Sequence, residues 1–209
     1  ILGGFDQLFG RQRAYANVSL RNNRYSENSS FNNLSYNARA GLNWSTIERL
    51  SGTVTALANR SLQRFNSYEV GFLTDKNLET VEQLNATASL GLVTAYSFEL
   101  SGGMVRVRNS LENEAVQARE FHQENVAAGL RWRTGTGSSV GLSLGRTDGR
   151  YPKFLTLGTG EYQADRFERN DVTLSVIYRA SGASSADLRL SRSDTKYDLN
   201  QSRNFSGVT

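Results

Sequence analysis

An all-β fold, and within it an antiparallel transmembrane β-barrel of the outer-membrane type with about nine strands present, is what this 209-residue sequence predicts. Three observations carry that expectation. Apolar residues recur at every second position, short and long connections alternate along the chain, and aromatic residues gather beside the short connections. Successive strand side chains point to opposite faces, so a strand in lipid shows an apolar residue at alternate positions for about 9 to 11 residues.

Taken in order, the first strand carries Ala14, Ala16, Val18 and Leu20. The second is the clearest: Leu34, Tyr36, Ala38, Ala40, Leu42 and Trp44 form one face, and Ser35, Asn37, Arg39, Gly41 and Asn43 the other. Gly52, Val54, Ala56 and Ala58 mark a third, and Leu84, Ala86, Ala88, Leu90 and Leu92 a fourth. The fifth starts at Phe98 and changes phase, since Phe98, Leu100 and Met104 give way to Val105 and Val107. The Gly102-Gly103 pair between them predicts a β-bulge. Val126 to Trp132, Val140 to Leu144, Val172 to Tyr178 and Ala186 to Leu190 complete nine strands.

A soluble sandwich or solenoid would also alternate, but the connections argue against one. Short links fall at Ser45 to Arg49, Thr94 to Ser97, Thr134 to Ser139 and Ala180 to Ser185. Between them lie polar, charged stretches at Arg21 to Asn33, Asn59 to Gln83, Arg106 to Asn125 and Arg146 to Asn170. Tight turns on one side and extended loops on the other are the asymmetry of bacterial outer-membrane barrels. Trp44, Tyr96, Phe98, Trp132 and Tyr178 flank the short links, as a lipid-facing girdle requires. Tyr25, Phe31, Phe65, Phe121, Tyr151 and Phe167 lie toward the long-link ends, where they either form a second girdle or pack loops together.

Composition agrees. Mean hydropathy is −0.49 with 38% hydrophobic residues, thin for a packed core, and no apolar run approaches the roughly 18 residues of a helical span. One proline against 19 glycines suits strands. With no cysteine there is no disulfide or thiolate chemistry. The 24 basic and 20 acidic residues are interspersed, which argues against a nucleic-acid partner. The chain opens at Ile1 with no leader-like segment, so any export signal is expected upstream or removed. Nine is an odd strand number for such a barrel, and Ser206-Gly207-Val208-Thr209 reads as the start of a tenth strand. A single domain over residues 1–209, forming the N-terminal portion of a longer barrel, is therefore expected.

If even-numbered positions face lipid, odd-numbered ones line the lumen. The expected lining is Arg21, Arg39, Arg131, Arg133, Arg179 and Arg189 against Glu99 and Asp187. Guanidinium groups offer planar donor pairs to carboxylates, sulfates and phosphates, and a basic lining selects permeants by sign. Asn17, Asn37, Asn43 and Asn85 could bond hydroxyls. The competing reading has these arginines paired with acids across strands or with lipopolysaccharide phosphates. Catalytic candidates are few. His122 is the single histidine and falls near the end of a long link, Glu112, Glu114, Asp165 and Glu168 fall in links, and Asp148-Gly149 reads as a turn. No metal site or cofactor is expected.

Several segments resemble one family: Phe5-Asp-Gln-Leu-Phe-Gly-Arg-Gln-Arg13, Asn43-Trp-Ser-Thr-Ile-Glu-Arg-Leu-Ser-Gly52, Leu62-Gln-Arg-Phe-Asn66, Asp148-Gly-Arg-Tyr-Pro152, Ala164-Asp-Arg-Phe-Glu-Arg-Asn-Asp171 and Asn204-Phe-Ser-Gly207. They resemble the EpsL-type outer-membrane β-barrel of exosortase-linked exopolysaccharide operons in Gram-negative bacteria, across essentially the whole chain. The resemblance implies a longer protein in the bacterial outer membrane with a role in polysaccharide biosynthesis or export, and brings no catalytic motif. Partners expected on this reading are outer-membrane lipid and lipopolysaccharide, a polysaccharide permeant and periplasmic export machinery. A general diffusion porin, a hydrolase or lyase acting through extracellular loops, and a surface anchor without a pore remain open.

Overall fold

The computed structural model describes residues 1–46, 49–63, 75–91, 94–135, 137–158, 160–180 and 184–209. Eleven strands form one antiparallel sheet in strict sequence order: β1 (Leu2–Phe9), β2 (Gln12–Asn23), β3 (Asn33–Ser45), β4 (Leu50–Leu62), β5 (Leu78–Leu90), β6 (Tyr96–Asn109), β7 (Phe121–Arg133), β8 (Ser139–Gly158), β9 (Glu161–Arg179), β10 (Ser185–Tyr197) and β11 (Phe205–Val208). The sheet is open, with β1 and β11 at its edges. One short helix, α1 (Glu114–Gln117), is capped by the Asn113 side chain, which accepts from the Ala115 and Val116 amides.

All nine expected strands are present, and two more flank them. Residues 205–208 do form a strand, on β10. The strand at 2–9 was not expected. It is joined to β2 by a two-residue turn at Gly10-Arg11, with Gly10 at a φ of 64°, the glycine-first geometry that suits such hairpins.

Register gives the sheet two distinct faces. From β2 through β11, outside the irregular tip of β8 and β9, pairing joins residues of equal parity: Ala38 with Ala58, Leu90 with Phe98, Leu130 with Leu142, Leu174 with Leu190. Even positions share one face and odd positions the other. In β1 the parity reverses, because Phe5 lies opposite Ala16 and Asp6 opposite Tyr15. Phe5 and Phe9 thus join the apolar face.

The expected bulge at Gly102-Gly103 is absent. Pairing runs unbroken from Tyr96 to Asn109, so Val105 and Val107 simply occupy the polar face. Register shifts lie instead in β8 between Tyr151 and Leu155, the stretch that holds Pro152, and between Thr156 and Gly158; proline, unable to donate to a ladder, is tolerated at such a shift. Asp148-Gly149 is likewise no turn but the interior of β8. The stretch Arg146 to Asn170 is not a loop: it belongs to two long strands, the first ending at Gly158 and the second beginning at Glu161. His122 and Glu168 accordingly stand on strands, as does Asp165. Phe65 and Leu92 lie outside the described residues.

No second layer covers the sheet among the described residues. Apart from neighbouring strands, only α1 and a 3-10 turn at Gln201–Arg203 pack on it. Buried apolar side chains there are limited to Leu78, Val116 and Phe167. Leu34 is 55% exposed, Leu130 56% and Leu174 38%.

Candidate functional site

The polar face is built from small residues with long cations between them. In one cross-strand row, Ser97 of β6, Arg131 of β7, Gly141 of β8, Ser175 of β9 and Arg189 of β10 stand side by side. The next row toward the short links runs Arg133, Ser139, Ile177 and Asp187. Glycine and serine leave room for the guanidinium arms, and a recess of about 360 Å³ opens there, its lining including Glu99, Arg131, Arg133, Asp187 and Arg189. Five of the eight residues expected to line a lumen thus share one concavity. Arg179 lies nearby, its side chain against Gly137. Arg21 and Arg39 are on the same face further round, Arg21 beside Ser35 and Asn37, and Arg39 beside Asn17 and Asn43.

Serine hydroxyls hold the arginines. Arg133 Nη1 donates to Ser97 Oγ at 3.0 Å and Arg131 Nη1 to Ser139 Oγ at 3.2 Å. Ser89 Oγ donates to Glu99 at 3.4 Å. Ser89, Ser97 and Ser139 are buried, so the anchors are fixed. A neutral hydroxyl occupies one of a guanidinium's five donors and leaves its charge uncompensated. None of the ion pairs among the described residues involves Arg21, Arg39, Arg131, Arg133, Arg179 or Arg189, nor Glu99 or Asp187. Pairing of these arginines with acids across strands is thus not what the structure holds.

No family model, curated protein or solved structure matches the chain. Its chemistry must be read from its own geometry.

Two ion pairs on the polar face escaped the sequence reading: Arg13 with Asp6 at 2.5 Å, and Arg169 with Asp171 at 2.8 Å. Arg13, Arg169 and Asp171 follow the odd-parity rule and were readable from it. Asp6 was not, because the parity reversal in β1 depends on the length of its turn.

The five aromatic residues beside the short links share the even-numbered face. Trp44 lies across Gly52, its register partner, and Tyr96 stands opposite Trp132. Tyr96, Phe98, Trp132 and Tyr178 are exposed. The second aromatic set takes the other option: Phe121, Tyr151 and Phe167 have odd parity and pack on the polar face, with ring centroids 5.9 and 6.2 Å apart, and Tyr197 continues the ladder at 5.1 Å from Phe167. Tyr25 and Phe31 meet edge to face beyond β2.

Of the carboxylates considered for catalysis, Asp165 and Glu168 do not converge. Asp165 is fully buried, accepts from the Leu199 amide and lies on the polar-face parity of β9, whereas Glu168, three positions on, lies on the other face against Arg146 at 2.9 Å. His122 also has even parity and pairs with Glu124 at 2.9 Å. Glu112 and Glu114 belong to the link that carries α1. Both line one open cavity of about 800 Å³ with Gln117, Lys153 and Tyr162, whereas Asp165, Glu168 and His122 do not line it.

Proposed function

We propose that this sheet is part of an outer-membrane β-barrel wall, with its apolar face in lipid and its polar face lining a conduit for an anionic exopolysaccharide. The observation that carries the proposal is the pairing of an uncovered apolar face with a polar recess whose Arg131, Arg133 and Arg189 make no ion pair among the described residues. Soluble monomers rarely leave contiguous apolar patches beyond a few hundred Å². Lipid is the environment in which a single-layer sheet of this pattern loses nothing by being uncovered. On the other side, uncompensated guanidinium groups attract and select polyanions, while the flanking serines and asparagines suit sugar hydroxyls. Export through a lined wall needs no catalytic group, and the resemblance to EpsL-type barrels points to the same cargo class.

The test is ion selectivity and polymer passage in planar bilayers and in a deletion strain. Anion preference and block by an acidic oligosaccharide are expected, and Arg131→Gln with Arg133→Gln should reduce both. Unselective uptake of small neutral sugars with normal polymer secretion in the deletion strain would establish the diffusion-porin alternative instead. Polymer cleavage by the protein, lost on His122→Ala, would establish the hydrolase.

A further inference from the structure

Above the apolar run, on the same even-numbered face, the sheet carries charge in tiers. Nearest the apolar residues Val126, Leu144 and Val172, acids and bases contact one another, with Glu124, Asp148 and Glu168 in one cross-strand row. Arg146 meets Asp148 at 2.8 Å and Glu168 at 2.9 Å, Arg192 meets Asp194 at 3.2 Å, and Glu124 is taken by His122. One tier further from the short links the pattern changes. Arg106 of β6 is the register partner of His122, His122 of Arg150, and Arg150 of Arg166. Three exposed arginines and a histidine thus stand in one line across four strands.

Directly opposed residues sit with Cβ atoms about 4.5–5.5 Å apart, where like charges destabilise a sheet. Arg150 opposite Arg166 is such a contact. The carboxylates around the line already hold cations: Glu82, opposite Arg106, bonds Arg108 at 2.6 Å, and Asp148 and Glu168 are held by Arg146. Asp198, whose amide donates to the Arg166 carbonyl, makes no ion pair among the described residues. No ion pair among them involves Arg106, Arg150 or Arg166 either.

We propose that the line of Arg106, Arg150 and Arg166 is a binding site for the phosphate of a membrane lipid whose acyl chains lie on the adjoining apolar face. The inference rests on the lipid-facing reading above. Two features point to an amphiphile rather than a soluble anion. The line shares its face with the apolar surface and adjoins it at Met104 of β6, and on β7 to β9 acids and bases contact one another next to that surface while arginines without an ion pair among the described residues lie beyond them. Guanidinium groups are the natural donors to phosphate oxygens. Occupation by phosphate also relieves the repulsion within the line.

The experiment compares insertion into vesicles of phosphatidylcholine, whose phosphate is covered by choline, with vesicles that also contain a lipid bearing exposed phosphomonoesters. The readouts are the lipid retained on the purified protein and its thermal unfolding midpoint. Phosphomonoester lipid should be enriched on the parent and raise its midpoint. An arginine near an anionic surface contributes about fivefold to binding, so the Arg106→Gln, Arg150→Gln, Arg166→Gln triple variant should retain on the order of a hundredfold less. The three lysine replacements should keep most of the retention. In phosphatidylcholine alone the glutamine triple should be at least as stable as the parent, a reversal of sign that a merely structural role would not produce. Should the triple fail to insert, Arg150→Gln alone is read, with about a fivefold loss. Equal retention by parent and glutamine variants overturns the proposal while leaving the lipid-facing reading intact. The same midpoint rise with inorganic phosphate alone would make it a soluble-anion site and equally overturns it. Failure of the parent to enter either vesicle overturns both readings.

Discussion

A cation held by a hydroxyl behaves differently from one held by a carboxylate, and the polar face contains both kinds. Arg13 and Arg169 are taken by Asp6 and Asp171, whereas Arg131 and Arg133 lean on Ser139 and Ser97 and keep their charge uncompensated. Other residues on this face are fixed by shape. The Phe167 ring lies over Gly149, its register partner, so closely that an added Cβ would overlap the ring. Gly149→Ala should therefore destabilise the folded protein by about 1–3 kcal/mol, the usual cost of overpacking. A fall in the unfolding midpoint in detergent micelles checks this, and an unchanged midpoint would mean that the ring moves freely. Tyr197, at the end of β10 past the apolar run, has its phenol pushed up by burial, against the opposing pull of the Arg203 guanidinium over its ring. A raised value contributes stability that is complete below the unfolded tyrosine's value of about 10 and is lost as pH climbs through the folded one. Tyr197→Phe should flatten the alkaline fall in unfolding midpoint above about pH 10, and an equally steep fall in the variant would assign it to other groups.

At the scale of the strand, neighbouring positions meet different surroundings. Leu174 and Thr173 are adjacent on β9, yet the first faces the apolar side and the second the polar recess. With lipid on the apolar side, Leu174→Arg should cost about 2–4 kcal/mol of membrane-folded stability, and Thr173→Arg much less; equal costs measured by reversible unfolding from vesicles would refute the assignment of faces. This two-sidedness is also why so much of the sheet was legible. Leu34 to Trp44 offers eleven positions in which every residue declares its face. The outer halves of β8 and β9 do not, because charged residues such as Arg146, Asp148 and Asp171 occupy both faces, and polarity then reads as a loop. β1 is short, contains Gly3-Gly4 and reverses parity, so the phase of its neighbour misleads. Val105 and Val107 on the polar face mimic a phase change at the glycine pair, although the ladder there is regular. The signal of the shift in β8 is the lone Pro152, set in a stretch whose polarity on both faces resembles a loop. Of the site, strand parity identified the arginines, but their grouping around one recess follows from register, which alternation alone does not fix.

For the whole molecule, the open sheet is the governing fact. Backbone groups left unpaired along β1 and β11 would cost several kcal/mol each in lipid, so on the barrel reading both edges are joined to further strands in the assembled wall. Amides of Leu2–Phe9 and Phe205–Val208 should then be as protected from hydrogen exchange in the membrane-assembled protein as those of β5, and exchange at free-chain rates would rule out closure there. The Gly10-Arg11 hairpin bears on how such a wall tolerates change. Its two residues set which side of β1 carries Phe5 and which carries Asp6. One inserted residue would swap them, putting a carboxylate on the apolar face and a phenyl ring on the polar one, whereas the link at 24–32 can gain or lose residues without disturbing either strand's orientation. Indels in relatives should therefore accumulate on one rim only, leaving the other uniform in length.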